Sequence, residues 1–86
     1  MTGSYSLLIK KSADRELRVI PKGNLRRIVD RINELALNPR PLGSEKLAGL
    51  DRYRIRQGDY RVVYAVDDDR RTVEVVKIGH RREVYR

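Results

Sequence analysis

There is no cysteine in the 86 residues. Disulfides and thiol chemistry are therefore excluded, and a small secreted scaffold, which usually needs disulfides, is argued against. A single histidine without cysteine leaves too few ligands for a structural zinc site. Tryptophan and phenylalanine are also absent, so the core must be aliphatic with help from five tyrosines. No apolar run approaches the ~20 residues that span a bilayer, and no signal peptide is visible. These absences lead to the expectation of a soluble cytoplasmic protein with no membrane contact, folded as one domain over residues 1–86. A chain of this length buries only about 60–65% of its unfolded surface, so its core is thin.

What the chain has in excess is positive charge. Twenty Lys and Arg against twelve Asp and Glu give a formal charge of +8. Net charge alone implies only nonspecific attraction to polyanions. Its arrangement says more. Arg52, Arg54, Arg56 and Arg61 lie on or beside two expected strands, and the chain closes on Gly79-His80-Arg81-Arg82-Glu83-Val84-Tyr85-Arg86. Arginines fixed on strands can hold one phosphate in one geometry, and nucleic acid is the commonest partner for such a surface.

Tyr5-Ser6-Leu7-Leu8-Ile9 reads as a first strand. Ser12 is the expected N-cap of a short helix from Ala13 to about Ile20. Pro21 interrupts this helix or starts the next. From Leu25, apolar residues at Ile28, Val29, Ile32, Leu35 and Ala36 form the stripe of an amphipathic helix, which Asn38-Pro39-Arg40-Pro41 stops. Leu42 to Leu50 reads as a connector pinned by Leu47 and Leu50. The period then changes to two. Tyr53 and Ile55 alternate with Arg52, Arg54 and Arg56, Gly58-Asp59 makes a tight turn, and Tyr60 to Val66 strongly favours strand. Asp67 to Arg71 is a polar turn that could pass for a metal cluster. Thr72 to Ile78 forms the last strand, and Val73, Val75, Val76 and Ile78 suggest burial on both faces, inside the sheet. The expected fold is a small α+β domain of order β-α-α-β-β-β. In it the last three strands form an antiparallel meander, the first strand adds across the helical crossover, and two N-terminal helices cover one face. Alternation puts the arginines on the other face.

Three segments carry a more specific signal: Lys46-Leu47-x-Gly49-Leu50, Tyr53-Arg54-Ile55-Arg56-x-Gly58-Asp59-Tyr60-Arg61-Val62-Val63-Tyr64, and Val76-x-x-Gly79-His80-Arg81-Arg82-Glu83-Val84-Tyr85. In this order, behind a strand and two helices, they resemble the RelE branch of the RelE/ParE toxin superfamily of toxin–antitoxin systems. The resemblance implies an endoribonuclease that enters the ribosomal A site and cuts messenger RNA there without a metal or other cofactor. It also implies a RelB-like antitoxin as partner. The family's basic pair on the second strand matches Arg54 and Arg56, its arginine opening the third strand matches Arg61, and its arginine after the last strand matches Arg81. Its C-terminal tyrosine matches Tyr85. Relatives often carry lysine at the basic pair, and some continue into a further helix where this chain ends one residue after Tyr85.

Cleavage of RNA by its own 2′-hydroxyl needs a proton removed, negative charge stabilised on phosphorus, and a proton given to the leaving oxygen. Arginine serves the second need through its planar fork and permanent charge, and serves proton transfer poorly. Arg61 and Arg81 are thus expected to clamp phosphate, with Arg81 near the leaving group. Arg54 and Arg56 would bind the backbone and lower nearby pKa values, and Tyr85 would orient the nucleotide or move a proton. Lys46, Arg52, Lys77, His80 and Arg82 complete the expected RNA-binding set. His80 is also the one side chain that titrates near neutral pH, although a lone histidine is commonly structural. A solvated strand face that discourages edge pairing would carry the same arginines, and Arg61 could simply pair with Asp59 or with a helix carboxylate. Two other functions fit the residues: a ParE-type poison of DNA gyrase on the same fold, and a noncatalytic RNA- or ribosome-binding module.

Overall fold

The computed structural model describes residues 4–47 and 51–80. Strand β1 (Ser6–Ile9) leads into helix α1 (Lys11–Arg18) and helix α2 (Lys22–Leu35). Four strands follow: β2 (Glu45–Lys46), β3 (Arg52–Gln57), β4 (Tyr60–Asp67) and β5 (Thr72–His80). They form one sheet in the order β1-β5-β4-β3-β2. No helix among the described residues is long and apolar enough to cross a membrane.

The meander of β3, β4 and β5 is antiparallel as the alternation requires. β1 instead runs parallel to β5, so the sheet is mixed rather than antiparallel throughout. Parallel pairing needs a crossover connection, and α1 and α2 lie in that crossover. β2 is the element that sequence periodicity missed. Two residues leave no period to read, and only the pairing of Glu45 with Arg54 and Lys46 with Tyr53 makes them a strand. The expected connector is therefore partly an edge strand. Leu47 is half-buried there and donates its N–H to the Arg52 carbonyl at 2.8 Å. Leu50 lies outside the described residues.

α1 begins at Lys11, with Lys10 as N-cap and no side-chain cap bond, so Ser12 is inside the helix rather than at its cap. α2 begins immediately after Pro21, whose fixed φ of −55° suits the entry. The inner faces of both helices, through Ala13, Ile28, Ile32 and Leu35, meet Ile55, Val62, Tyr64, Val73, Val75 and Ile78 on the sheet. The core is aliphatic apart from Tyr64, which is fully buried.

Two irregularities set which side chains face which way. β4 and β5 shift register at Val63/Tyr64, pairing Val63 with Lys77 but Tyr64 with Val75. Val76 is thus the extra residue of a β-bulge. The bulge, not two-sided burial, explains the valine pattern: Val73 and Val75 face the helices on odd positions, and after the extra residue Ile78 faces them on an even one. The second irregularity is the hairpin turn. Gln57 pairs with Tyr60 across Gly58-Asp59, and Gly58 has φ +60° while Asp59 does not go positive. This is the II′ pattern that keeps a two-residue hairpin in twist with its strands, and it favours glycine at that place.

Tyr64 also anchors the loop after α2. Its hydroxyl donates to the buried Pro39 carbonyl at 2.6 Å, and its ring stacks on Tyr53 at 5.9 Å. Burial pushes the Tyr64 phenol up to about 12. Because the folded value exceeds the unfolded value near 10, the stability this group contributes is intact below pH 10 and lost as pH rises toward 12. Tyr64→Phe should cost about 1–2 kcal/mol at neutral pH through the orphaned carbonyl, a fall of roughly 4–16 °C in melting temperature. Denaturation between pH 9 and 12 should show a shallower alkaline loss in the variant than in the parent; equal slopes would contradict the assignment.

Candidate nucleic-acid interface

The helices occupy one face of the sheet, and the other carries no helix. Register decides what stands on it. Arg54 pairs with Val63, and Val63 with Lys77; Arg56 pairs with Arg61, and Arg61 with Gly79. Since Ile55, Val62 and Ile78 point into the core, the residues flanking them in each strand point out. Arg52, Arg54, Arg56, Arg61 and Lys77 therefore share the open face.

Arg56 and Arg61 are direct cross-strand partners, where Cβ atoms stand about 4.5–5.5 Å apart. Like charges in that relation are destabilising. Neither has a carboxylate partner among the described residues. Arg61 is turned by the hairpin itself, its Nη1 donating to the Tyr60 carbonyl at 3.2 Å and to the Gly58 carbonyl at 3.4 Å. The pairing of Arg61 with Asp59 that the sequence allowed is absent among the described contacts. Arg54 is half-buried, and its Nη2 meets Glu45 Oε2 at 3.0 Å. Arg54, Arg56 and Arg61 line one small cleft of about 70 Å³ with Gly43, Glu45 and Ile55. Gly43 has φ +95°, a value that L side chains rarely adopt, and it turns the chain into β2 so that Glu45 enters the cleft.

Comparison with known proteins places this geometry. The family model of the ParE toxin of the type II parDE toxin–antitoxin system matches residues 7–85. Toxin RelE of Mycobacterium tuberculosis is 37% identical over 86 residues, covering 95% of this chain and 87% of that one. The isolated RelE toxin of Escherichia coli superposes with a TM-score of 0.81 at 31% identity, covering 95% of this chain and 92% of that chain. RelE in the archaeal RelE–RelB complex of Pyrococcus horikoshii gives 0.80 at 30% identity, covering 93% and 98%. The chain belongs to the RelE/ParE toxin superfamily, on its RelE branch.

Within this toxin fold the expected site residues fall into three groups. Arg54, Arg56 and Arg61 meet in the cleft, and Arg52 follows them along β3 on the same face. Lys77 belongs to the open face by register, yet its Nζ lies 4.0 Å from Glu16 of α1. Lys46 and His80 stand across the sheet. Lys46 pairs with Tyr53 on the helix side, and His80 packs edge-on against Tyr60 at 5.9 Å beside Glu16 and Ile20. The bulge puts His80 there: Gly79 takes the outward place beside Arg61 and its neighbour takes the inward one. Arg81, Arg82 and Tyr85 lie outside the described residues.

Glu45 and Gly43 are cleft residues that sequence reasoning missed, because both sat in a stretch read as connector. Among the described residues no group of three His, Cys, Asp or Glu is placed to hold a metal, and two aspartates of the turn after β4 have partners within the protein. Asp67 accepts the Arg70 N–H within the turn. Asp68 takes a forked pair from Arg40 at 2.9 and 3.2 Å and a hydrogen bond from Tyr5 at 2.7 Å. Arg40, hydrogen-bonded to Asp68, holds that carboxyl below its usual range.

The unneutralised Arg56–Arg61 pair should cost stability. Arg56→Gln is expected to stabilise the protein by about 0.2–1 kcal/mol at low ionic strength, and 1 M salt should erase the gain by screening. Urea denaturation at both ionic strengths checks this; a variant less stable than the parent in low salt would show that the two guanidiniums do not repel.

Proposed function

We propose that this toxin is a ribosome-dependent endoribonuclease that cuts messenger RNA in the A site by attack of the 2′-hydroxyl, without a metal. The observation that carries the reading is the cross-strand pairing of Arg56 with Arg61 at the mouth of a cleft that also holds Arg54. An anion lying between the two guanidiniums would relieve their repulsion. Two forked guanidiniums on adjacent strands suit the non-bridging oxygens of one phosphodiester, and suit the more negative phosphorane better. Gly79, two residues before Arg81 in the sequence, is the cross-strand partner of Arg61. Arg81, which lies outside the described residues, is assigned to the same phosphate near the leaving oxygen, and Tyr85 to orienting the nucleotide. Arg52 and Arg54 extend the charge along the RNA backbone.

Positioning is the large term such a site lacks on its own. Holding the RNA in line for attack can contribute ~7–11 kcal/mol, and the ribosome holding a codon supplies it. Several solved relatives are complexes of RelE with RelB antitoxins. The same partner class is proposed here: an antitoxin with an acidic or amphipathic segment that covers the basic cleft. A gyrase poison would have no use for a phosphate clamp, and a noncatalytic binder would leave message intact.

Purified protein added to programmed ribosomes, with message ends mapped by primer extension, tests the proposal. Cuts inside the A-site codon are expected, reduced about 10²–10³-fold in Arg61→Ala and in Arg81→Ala. Arg81→Lys should bind yet lose much of the rate, because an ammonium cannot make the forked contact. Arrest of translation with uncut message, or inhibition of gyrase supercoiling instead, would remove the proposal.

A further inference from the structure

β5 loses a neighbour part-way along its length. β1 pairs with it only from Thr72 to Val75, and the bond that closes this ladder runs from the Lys10 N–H to the Val75 carbonyl at 2.9 Å. The chain then turns into α1, so Lys77 to His80 are laddered on β4 alone, beyond a bulge that interrupts even that ladder. This is the stretch that sets Gly79 beside Arg61. A strand end held on one side only frays readily. Glu16 of α1 takes the place of the missing strand. Its Oε1 accepts the Ile78 N–H at 2.9 Å across 62 residues of sequence, and its Oε2 lies 4.0 Å from Lys77 Nζ. A carboxylate makes a shorter and stronger bond with a backbone N–H than a neutral acceptor does. The Lys77 contact is long and partly exposed, so it adds little. The hold that α1 has on the end of β5 is therefore the bond to Ile78.

We infer that Glu16 is a positioning residue for the phosphate clamp, fixing the end of β5 so that Arg61 and the residues after Gly79 keep their spacing; the inference rests on the ribonuclease reading above. Glu16 is no part of the arginine cleft. It lies behind Gly79, lining a separate hollow of about 200 Å³ with Ile20, Tyr60, Ile78, Gly79 and His80. Its effect passes through the backbone. Gly79 is buried and pairs with Arg61, and the sequence runs on from it to Arg81. Released from α1, the strand end would have β4 as its guide and would sample positions unsuited to Arg61 and Arg81, which the proposal above assigns to one phosphate. A clamp tolerates such play poorly, because a displacement of ~1 Å can cost about 10²-fold in rate. Binding suffers less, since the charges remain on the surface however the strand end lies. The mark of Glu16 is thus on the cleavage step rather than on affinity.

Four variants test this in single-turnover cleavage on programmed ribosomes. Ribosome concentration is varied to separate the limiting rate from half-saturation, and amide hydrogen exchange is followed in the free protein. Glu16→Ala removes the acceptor. Glu16→Asp keeps the charge but is one methylene too short to reach. Glu16→Gln loses the charge but keeps an oxygen that accepts the bond. Val73→Ala is the stability control: Val73 is fully buried at the far end of β5, opposite Leu7 and Val66. Expected results are a limiting rate about 10²-fold lower in Glu16→Ala and Glu16→Asp, unchanged half-saturation, and faster exchange at the Ile78 amide in both. Glu16→Gln should retain most of the parent's rate and protection, and Val73→Ala its full rate. A parent-like rate in Glu16→Ala or Glu16→Asp while Ile78 exchanges freely would overturn the inference. So would a Glu16→Gln variant as slow as Glu16→Ala. Equal slowing in Val73→Ala would make Glu16 a general stabiliser and overturn it too. Parent protein that leaves message uncut would instead overturn the ribonuclease reading itself, and the positioning role with it.

Discussion

The register of the β3–β4 hairpin is the constraint on which the site depends. A two-residue turn at Gly58-Asp59 sets Arg56 opposite Arg61 and Arg54 opposite Val63. Slipping that register by one residue would send the arginines into the core and Ile55 and Val62 into solvent. The hydrophobic face therefore locks the charged face. Burial of Ile55, Val62, Tyr64, Val73, Val75 and Ile78 against the helices resists the repulsion on the opposite side. The repulsive pair persists because the alternative register is worse by several buried aliphatic side chains, each worth about 1.5–3 kcal/mol.

The sheet divides its work by face and by end. One face is covered by α1 and α2 and holds nearly all the buried apolar surface; the other carries no helix and, apart from residues such as the buried Val63, is given over largely to charge. At the end remote from the hairpin turn, Tyr5, Asp68, Arg40, Tyr53 and Tyr64 form a chain of hydrogen bonds and ring contacts. Arg40 also lies over the Tyr53 ring at 5.1 Å. This network ties the loop after α2 to the β4–β5 turn, and that loop delivers Gly43 and Glu45 to the cleft. Order at one end of the sheet thus places a carboxylate nearer the other.

The element order, the amphipathic stripe of α2, the hairpin and the outward arginines were legible because each rests on a period or a turn residue. Arg54 and Arg56 lie two apart on a strand whose alternate residues are Tyr53 and Ile55, so their common face follows directly. Three features were not legible, for physical reasons. The two-residue β2 has no period, and so Glu45 stayed hidden in a connector. The bulge at Val76 resembles two-sided burial when only the composition of β5 is read, yet it is a change of phase, and it decides that Gly79 rather than His80 stands beside Arg61. The parallel pairing of β1 depends on where the crossover lands, which no local pattern records.

The chemistry of the cleft also constrains how such a protein is controlled. Guanidiniums keep their charge at every pH a cell reaches, so an arginine clamp has no internal off state. Glu45 offsets one of these charges through its 3.0 Å contact with Arg54, and the lone histidine, His80, is turned toward α1. Silence must then come from occupancy: something negative has to lie in the cleft whenever RNA must not. An occupant that imitates phosphate meets no net positive charge where Glu45 and Arg54 pair, so a purely acidic segment gains little there. The complementary cover is one that sets carboxylates over Arg56 and Arg61 and a neutral or basic group over Glu45, so the Glu45 carboxylate gives the surface a polarity by which a cognate inhibitor can be told from an arbitrary polyanion.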